Sequence, residues 1–126
     1  MEKSVSFKDL HAWKQAHSFV IAVYKVTDNF PKSEQYGLTS QFRRAAVSIA
    51  ANIAEGYRRK GKADKLRFFN FSQASLEECK YFIILSKDLN YIDNQKNIEL
   101  ETKIEEVSRL LNSYCRKIVI ELKRKI

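Results

Sequence analysis

Three glycines and one proline are the strongest chain breakers in these 126 residues. A chain of short strands needs turn residues roughly every 8–12 positions, so their scarcity predicts long helices with few joints. Pro31 stops the first helix, because it disfavours the helical conformation at Phe30 and lacks an N–H of its own. The stretch PKSEQYG forms the first joint, RRKGKAD around Gly61 the second, and Asp93 suits the N-cap of a last helix. The expected helices are 7–29, with Ser6 as N-cap, then 38–59, 64–90 and 94–124.

Each helix has an apolar seam. Ala12, Ala16, Phe19, Val23, Val26 and Phe30 recur at steps of four and three, with a second stripe of Leu10, Trp13, Val20 and Tyr24 beside them. Leu100, Ile104, Val107, Leu111, Tyr114 and Ile118 repeat the rhythm in the last helix, with Glu and Lys between. The third helix is apolar on more than one side, with Phe68, Phe69 and Phe71 followed by Phe82, Ile83 and Ile84. Short joints make sequential helices antiparallel neighbours, so the expected fold is all-α: an up-down-up-down four-helix bundle forming one domain over 1–126. The surplus apolar surface on the third and first helices calls for a second burial partner, which a homo-oligomer supplies.

At 44% hydrophobic and 30% charged residues the chain has the composition of a folded protein. The longest runs without charge, 15–24 and 45–54, are too short to span a bilayer, so no membrane association is expected. MEKSVSFK has no apolar h-region, which makes the cytoplasm the expected location. Cys79 and Cys115 lie far apart without a C-x-x-C pair and read as reduced, packed thiols.

The second helix carries LTSQFRRAAVSIAANIAEG. At 100° per residue, Gln41, Arg44, Ser48, Asn52, Glu55 and Arg59 fall within an arc of about 80°. Leu38, Phe42, Ile49, Ile53 and Tyr57 form a bulky apolar side, and Val47, Ala50, Ala51 and Ala54 a small one that invites close approach of a neighbouring helix. The polar row is either a solvated face or a seam covered by another helix. Ser and Asn are poor interior helix formers and no Lys–Glu pattern runs along the row, so Arg44, Ser48, Asn52 and Glu55 are read as a structural, hydrogen-bonded seam. A catalytic reading fails because Ser48 has no His or Lys at three or four residues' distance. His11 and His17 are six apart and cannot chelate one metal along a helix. No Glu-x-x-His pair suggests a di-iron bundle and no Gly-rich loop a nucleotide site. Neither an enzyme nor a metal or cofactor is therefore expected.

The segment YGLTSQFRRAAVSIAANIAEGYRR, with FKDLHAWKQAHSFVIAVYKVTDNFP before it and FFNFSQASLEECKYFIILSKDLNYI after it, resembles the four-helix-bundle proteins known as 23S rRNA intervening-sequence proteins. The likeness runs from about Phe7 to Ile92 and centres on Arg44, Ala45, Ser48, Ile49, Asn52, Ile53, Ala54, Glu55 and Gly56. Ala50 stands where relatives often have proline, and Ala74 where many have glycine. The resemblance implies a ring-shaped homopentamer. A related branch serves as an accessory factor of diversity-generating retroelements, where a basic pentamer binds nucleic acid and a reverse transcriptase; membership of that branch would make such an enzyme a partner here.

The charge is +8, from 23 Lys and Arg against 15 Asp and Glu, an excess that favours polyanions. It is concentrated in RRKGKADKLR, with Arg58, Arg59, Lys60, Lys62, Lys65 and Arg67, and in RKIVIELKRK, with Arg116, Lys117, Lys123, Arg124 and Lys125. An up-down-up-down bundle brings both clusters to one pole, beside Lys3 and Lys8. These eleven residues are the expected contacts for RNA or DNA backbone. Tyr57 and Phe68 flank the first cluster and are read as core, although their rings could stack on bases. The alternative is a protein-interaction scaffold or accessory factor whose charge is incidental.

Overall fold

The computed structural model of the chain describes residues 5–124. The seams close into four helices, α1 His11–Thr27, α2 Leu38–Arg58, α3 Lys62–Asp88 and α4 Asn94–Arg124, with no strand among the described residues. Each helix packs against its sequence neighbours and α1 also against α4, while the backbones of the diagonal pairs stay apart among the described residues. This is an antiparallel four-helix bundle. Its centre is filled by Phe19, Phe42, Phe69, Ile49, Leu76 and Ile104, with Phe42 stacked at a tilt on Phe19 (6.5 Å) and Phe82 (5.8 Å).

The largest departure from the expected boundaries lies in the first helix, which does not run over 7–29. Ser6 caps a separate 3-10 turn, Phe7–Asp9: its Oγ accepts the Lys8 N–H at 3.1 Å, while Asp9 Oδ2 accepts the N–H groups of Val5 (2.9 Å) and Ser6 (3.2 Å). Leu10 then turns extended before α1 begins. Turn bonds from Asn29 to Val26 O and from Phe30 to Thr27 O unwind the chain ahead of Pro31. Arg43 of α2 fastens that end, its Nε donating to Thr27 Oγ1 at 2.8 Å and its Nη2 to Asp28 at 3.1 Å. Asp93 caps α4 by accepting the Lys96 N–H at 2.8 Å.

Helix α3 inverts the usual assignment of polar and apolar positions. Ser72, Ser75 and Ser86 are buried, whereas Phe71, Tyr81 and Ile84 are 45%, 57% and 53% exposed. Serine is small enough to let α2 come close, and its hydroxyl still finds an acceptor: Ser72 donates to Ile49 O across the contact at 2.9 Å and Ser86 to Phe82 O at 2.7 Å. Gly56 is set by the same closeness, because a Cβ there would stand 2.5 Å from Cε1 of the fully buried Phe69 ring.

The small side of α2 is not the packing side. Of Val47, Ala50, Ala51 and Ala54, only Ala50 is buried, and Val47 and Ala51 are exposed. Close approach occurs instead beside the polar row, where Ser48, Ile49 and Gly56 meet Ser75, Ser72 and Phe69. Both cysteines are free and buried, and burial pushes the Cys115 thiol up to about 11.

Candidate nucleic-acid interface

Antiparallel packing places the start of α1, the α2–α3 joint and the end of α4 at one end of the bundle. Lys62 of α3 ties it to α4 through Glu121, at 3.4 Å. The sequence clusters therefore do converge, but not as equivalent charges. Arg58, Lys60, Arg116, Lys117, Lys123 and Arg124 are exposed and have no ion-pair partner among the described residues. Lys125 lies outside the described residues, as does Lys3.

The other four cations are engaged. Arg59 donates to Glu55 at 3.1 Å and lies over the Phe68 ring, 4.3 Å from its centroid. Its Nε is buried without a hydrogen-bond partner, the Asp64 carboxylate standing 3.9 Å away, within Coulomb attraction but beyond hydrogen-bond length. Arg67 sets both Nε (3.1 Å) and Nη2 (2.9 Å) on Asp64 Oδ1. Lys62 holds Glu121.

Lys65 caps α2: its Nζ donates to the carbonyl of Tyr57 (2.7 Å) and to that of Gly56 (3.3 Å), which also accepts the Arg59 N–H at 3.2 Å. Burial against that helix end, and then repulsion from Lys62, lower its pKa. This side chain holds the joint in shape.

The polar row divides in the same way. Asn52 Nδ2 donates to Ser48 Oγ and to Ser48 O, both at 3.0 Å, and Ser75 of α3 donates to Ser48 Oγ at 2.9 Å. That is a hydrogen-bonded seam between α2 and α3. Arg44 is exposed outside it, and exposed Glu55 serves Arg59 along the same helix rather than α3. The expected four-residue seam is thus Ser48 and Asn52, completed by Ser75, which helix periodicity alone gives no reason to select.

Among the described residues Ser48 has Asn52 and Ser75 for side-chain partners. A groove of about 370 Å³ between α1 and α4 holds Ser18, to whose Oγ Lys103 donates at 3.0 Å, with no third group oriented on the pair. Exposed His17 stacks on Trp13, 5.1 Å between centroids. Among the described residues no three His, Cys, Asp or Glu gather as a metal site, and no helix is long and apolar enough to cross a membrane.

The opposite end carries Lys25, Lys32, Arg43, Lys87 and Lys96 against Asp28, Glu34, Asp88, Asp93 and Glu99, and is close to neutral. The excess charge of the molecule is therefore a property of one end.

The arrangement has counterparts among known proteins. No curated protein matches the sequence. The fold is similar to the crystal structure of a protein of the S23 ribosomal protein family from Bacteroides thetaiotaomicron VPI-5482, with a TM-score of 0.74 and 22% identity over 82% of this chain and 97% of that one. The sequence model of 23S rRNA-intervening sequence proteins matches residues 8–113, ending just before Arg116 and so excluding the basic end of α4. With all of α1, α2 and α3 and most of α4 inside that match, the chain belongs to the 23S rRNA-intervening sequence protein family.

Proposed function

We propose that the chain is a non-enzymatic helical bundle that binds the phosphate backbone of RNA or DNA through its basic end. The observation that carries this reading is the gathering of exposed cations without ion-pair partners, Arg58, Lys60, Arg116, Lys117, Lys123 and Arg124, at one end of a bundle whose other end is balanced. A free cation gains by displacing the counterions condensed on a polyanion. Arg59, Lys62 and Arg67 already spend their charge on Glu55, Glu121 and Asp64, and contribute less to backbone affinity. Backbone contact of this kind reads no sequence.

A homo-oligomer is part of the proposal. Tyr81 and Ile84 on α3 and Ile21 on α1 are large apolar groups left exposed by the single chain, and a second copy would cover them. The ring of five implied by the family resemblance would repeat the basic end around one rim. A reverse transcriptase is the protein partner that the resemblance to the retroelement branch adds.

The test is binding to labelled RNA and DNA across a salt series. Removing Arg58, Lys60, Arg116 and Lys123 together should shallow the logarithmic salt dependence by about 0.9 for each lost duplex phosphate contact. Removing Lys25 and Lys32 from the other end should leave it unchanged. Absence of binding by the wild type at low salt refutes the proposal. The exposed apolar face of α3 also favours a second reading, a protein-interaction scaffold. Its partner would survive nuclease treatment in a pull-down, whereas one bridged by nucleic acid would not.

A further inference from the structure

Phe71 follows Arg67 by one turn on the outward side of α3, and both are exposed. The Arg67 guanidinium is held flat by its two bonds to Asp64 Oδ1. Its Cζ stands 4.8 Å from the Phe68 centroid and 6.0 Å from that of Phe71. Phe68 and Phe71 meet edge to face, 5.7 Å apart and at 86°. Arg59 lies over Phe68 as well, so two guanidinium planes and two rings form one patch in the α2–α3 joint.

Asp64 and Glu55 satisfy the charges of this patch, which therefore has little to gain from a phosphate. Ion pairing does not use up the planar faces, however. A guanidinium fixed in its plane loses little rotamer freedom when another flat, polarisable group settles on it, and an exposed phenylalanine ring offers the same kind of surface. Nucleobases have such faces, and in a duplex each face is already stacked. Arg58 and Lys60, with free charge, occupy the same joint and can meet the phosphates beside a stacked base.

We infer that Arg67 and Phe71 form a stacking platform for unpaired bases, with Arg58 and Lys60 on the adjoining phosphates, so that the protein prefers single-stranded segments to duplex. This rests on the nucleic-acid reading above and names the part of the nucleic acid recognised. It also gives Phe71 a different role from Tyr81 and Ile84, which lie about 15 Å or more further along α3 at 1.5 Å per residue.

Fluorescence anisotropy decides the matter with three labelled probes: a single strand of about 20 nucleotides, the matching duplex, and the same strand with abasic sites. The wild type should bind the single strand about tenfold or more tighter than either of the others. Phe71→Leu keeps an apolar side chain without the ring, and Arg67→Lys keeps the charge without the plane. Each should lose most of that preference while leaving duplex affinity within about twofold. Sedimentation velocity accompanies every variant. A wild type that binds without preferring the single strand, a Phe71→Leu protein that keeps the preference, or one that changes association state and keeps it, each overturns the inference. A wild type that binds no probe at low salt instead removes the nucleic-acid reading beneath it.

Discussion

The two ends of the bundle solve the same problem, joining antiparallel helices, by opposite means. At the α1–α2 and α3–α4 end, one carboxylate organises the joint: Glu34 accepts the Leu38 N–H at 3.2 Å through Oε1 and the Tyr91 hydroxyl at 2.8 Å through Oε2. Phe30 packs on Tyr91, and Asn90 takes the left-handed conformation (φ 61°) that ends α3. At the basic end the joint is made of cations, with Lys65 on the last carbonyls of α2 and Arg59 and Arg67 spread over Phe68. The neutral end is closed by its own hydrogen bonds. The basic end closes with some of its cations and leaves the others facing outward.

Substituting the same residue type at both ends gives the largest contrast. Gly56→Ala drives a methyl into the immobile Phe69 ring and should cost about 1–3 kcal/mol in urea unfolding, even with the better helix propensity of alanine. Gly37→Ala meets only the tip of the Glu34 side chain at 2.8 Å, which can swing aside at the expense of one capping bond, so about 1 kcal/mol or less is expected. Equal costs at the two positions would contradict the close packing argued for α2 and α3.

Lys65→Met should cost about 1 kcal/mol, because the Tyr57 carbonyl at the end of α2 loses its donor while the Gly56 carbonyl keeps only the Arg59 N–H. Tyr91→Phe probes the neutral end by pH. The hydrogen bond to Glu34, partial burial and the Glu34 charge together raise the Tyr91 pKa above 10.0. A group whose pKa rises on folding stabilises below its unfolded value and loses that contribution as pH climbs through the folded one. Tyr91→Phe should therefore unfold more easily than wild type at pH 8, and the difference should shrink above about pH 10. A difference that persists unchanged there would mean that the phenol's contribution is packing rather than its bond to Glu34.

The smallest expected effect on stability is at Lys60. Lys60→Gln should leave unfolding within about 0.5 kcal/mol of wild type while weakening polyanion binding. A clear change in stability would place Lys60 with Lys65 as part of the joint.

The periodic residues made much of this architecture legible. The Asp93 cap and the seam of α4 follow from spacing, except that Cys115 rather than Tyr114 takes the buried place, and the meeting of the two basic clusters follows from antiparallel order. The first helix was less legible, because Ser6 satisfies the capping pattern equally well for a 3-10 turn, and Leu10 turns extended without any glycine or proline to announce it. The polar row was half legible. Its period identifies the face, but whether a given member is covered depends on where the axis of α3 crosses it, which puts Ser48 and Asn52 inside and Arg44 and Glu55 outside.

What the sequence by itself determined is what depends on neighbours along the chain: four helices, their order, the bulky apolar seams of α1 and α4 and the end that carries the charge. What only the tertiary structure decided is which charges remain free. Asp64 with Arg67, Glu121 with Lys62, and Lys65 with the carbonyl of Tyr57 are matched by distances between side chains and helix ends. Seven of the eleven described cations at that end, Lys8 among them, remain without an ion pair or carbonyl partner once those matches are made.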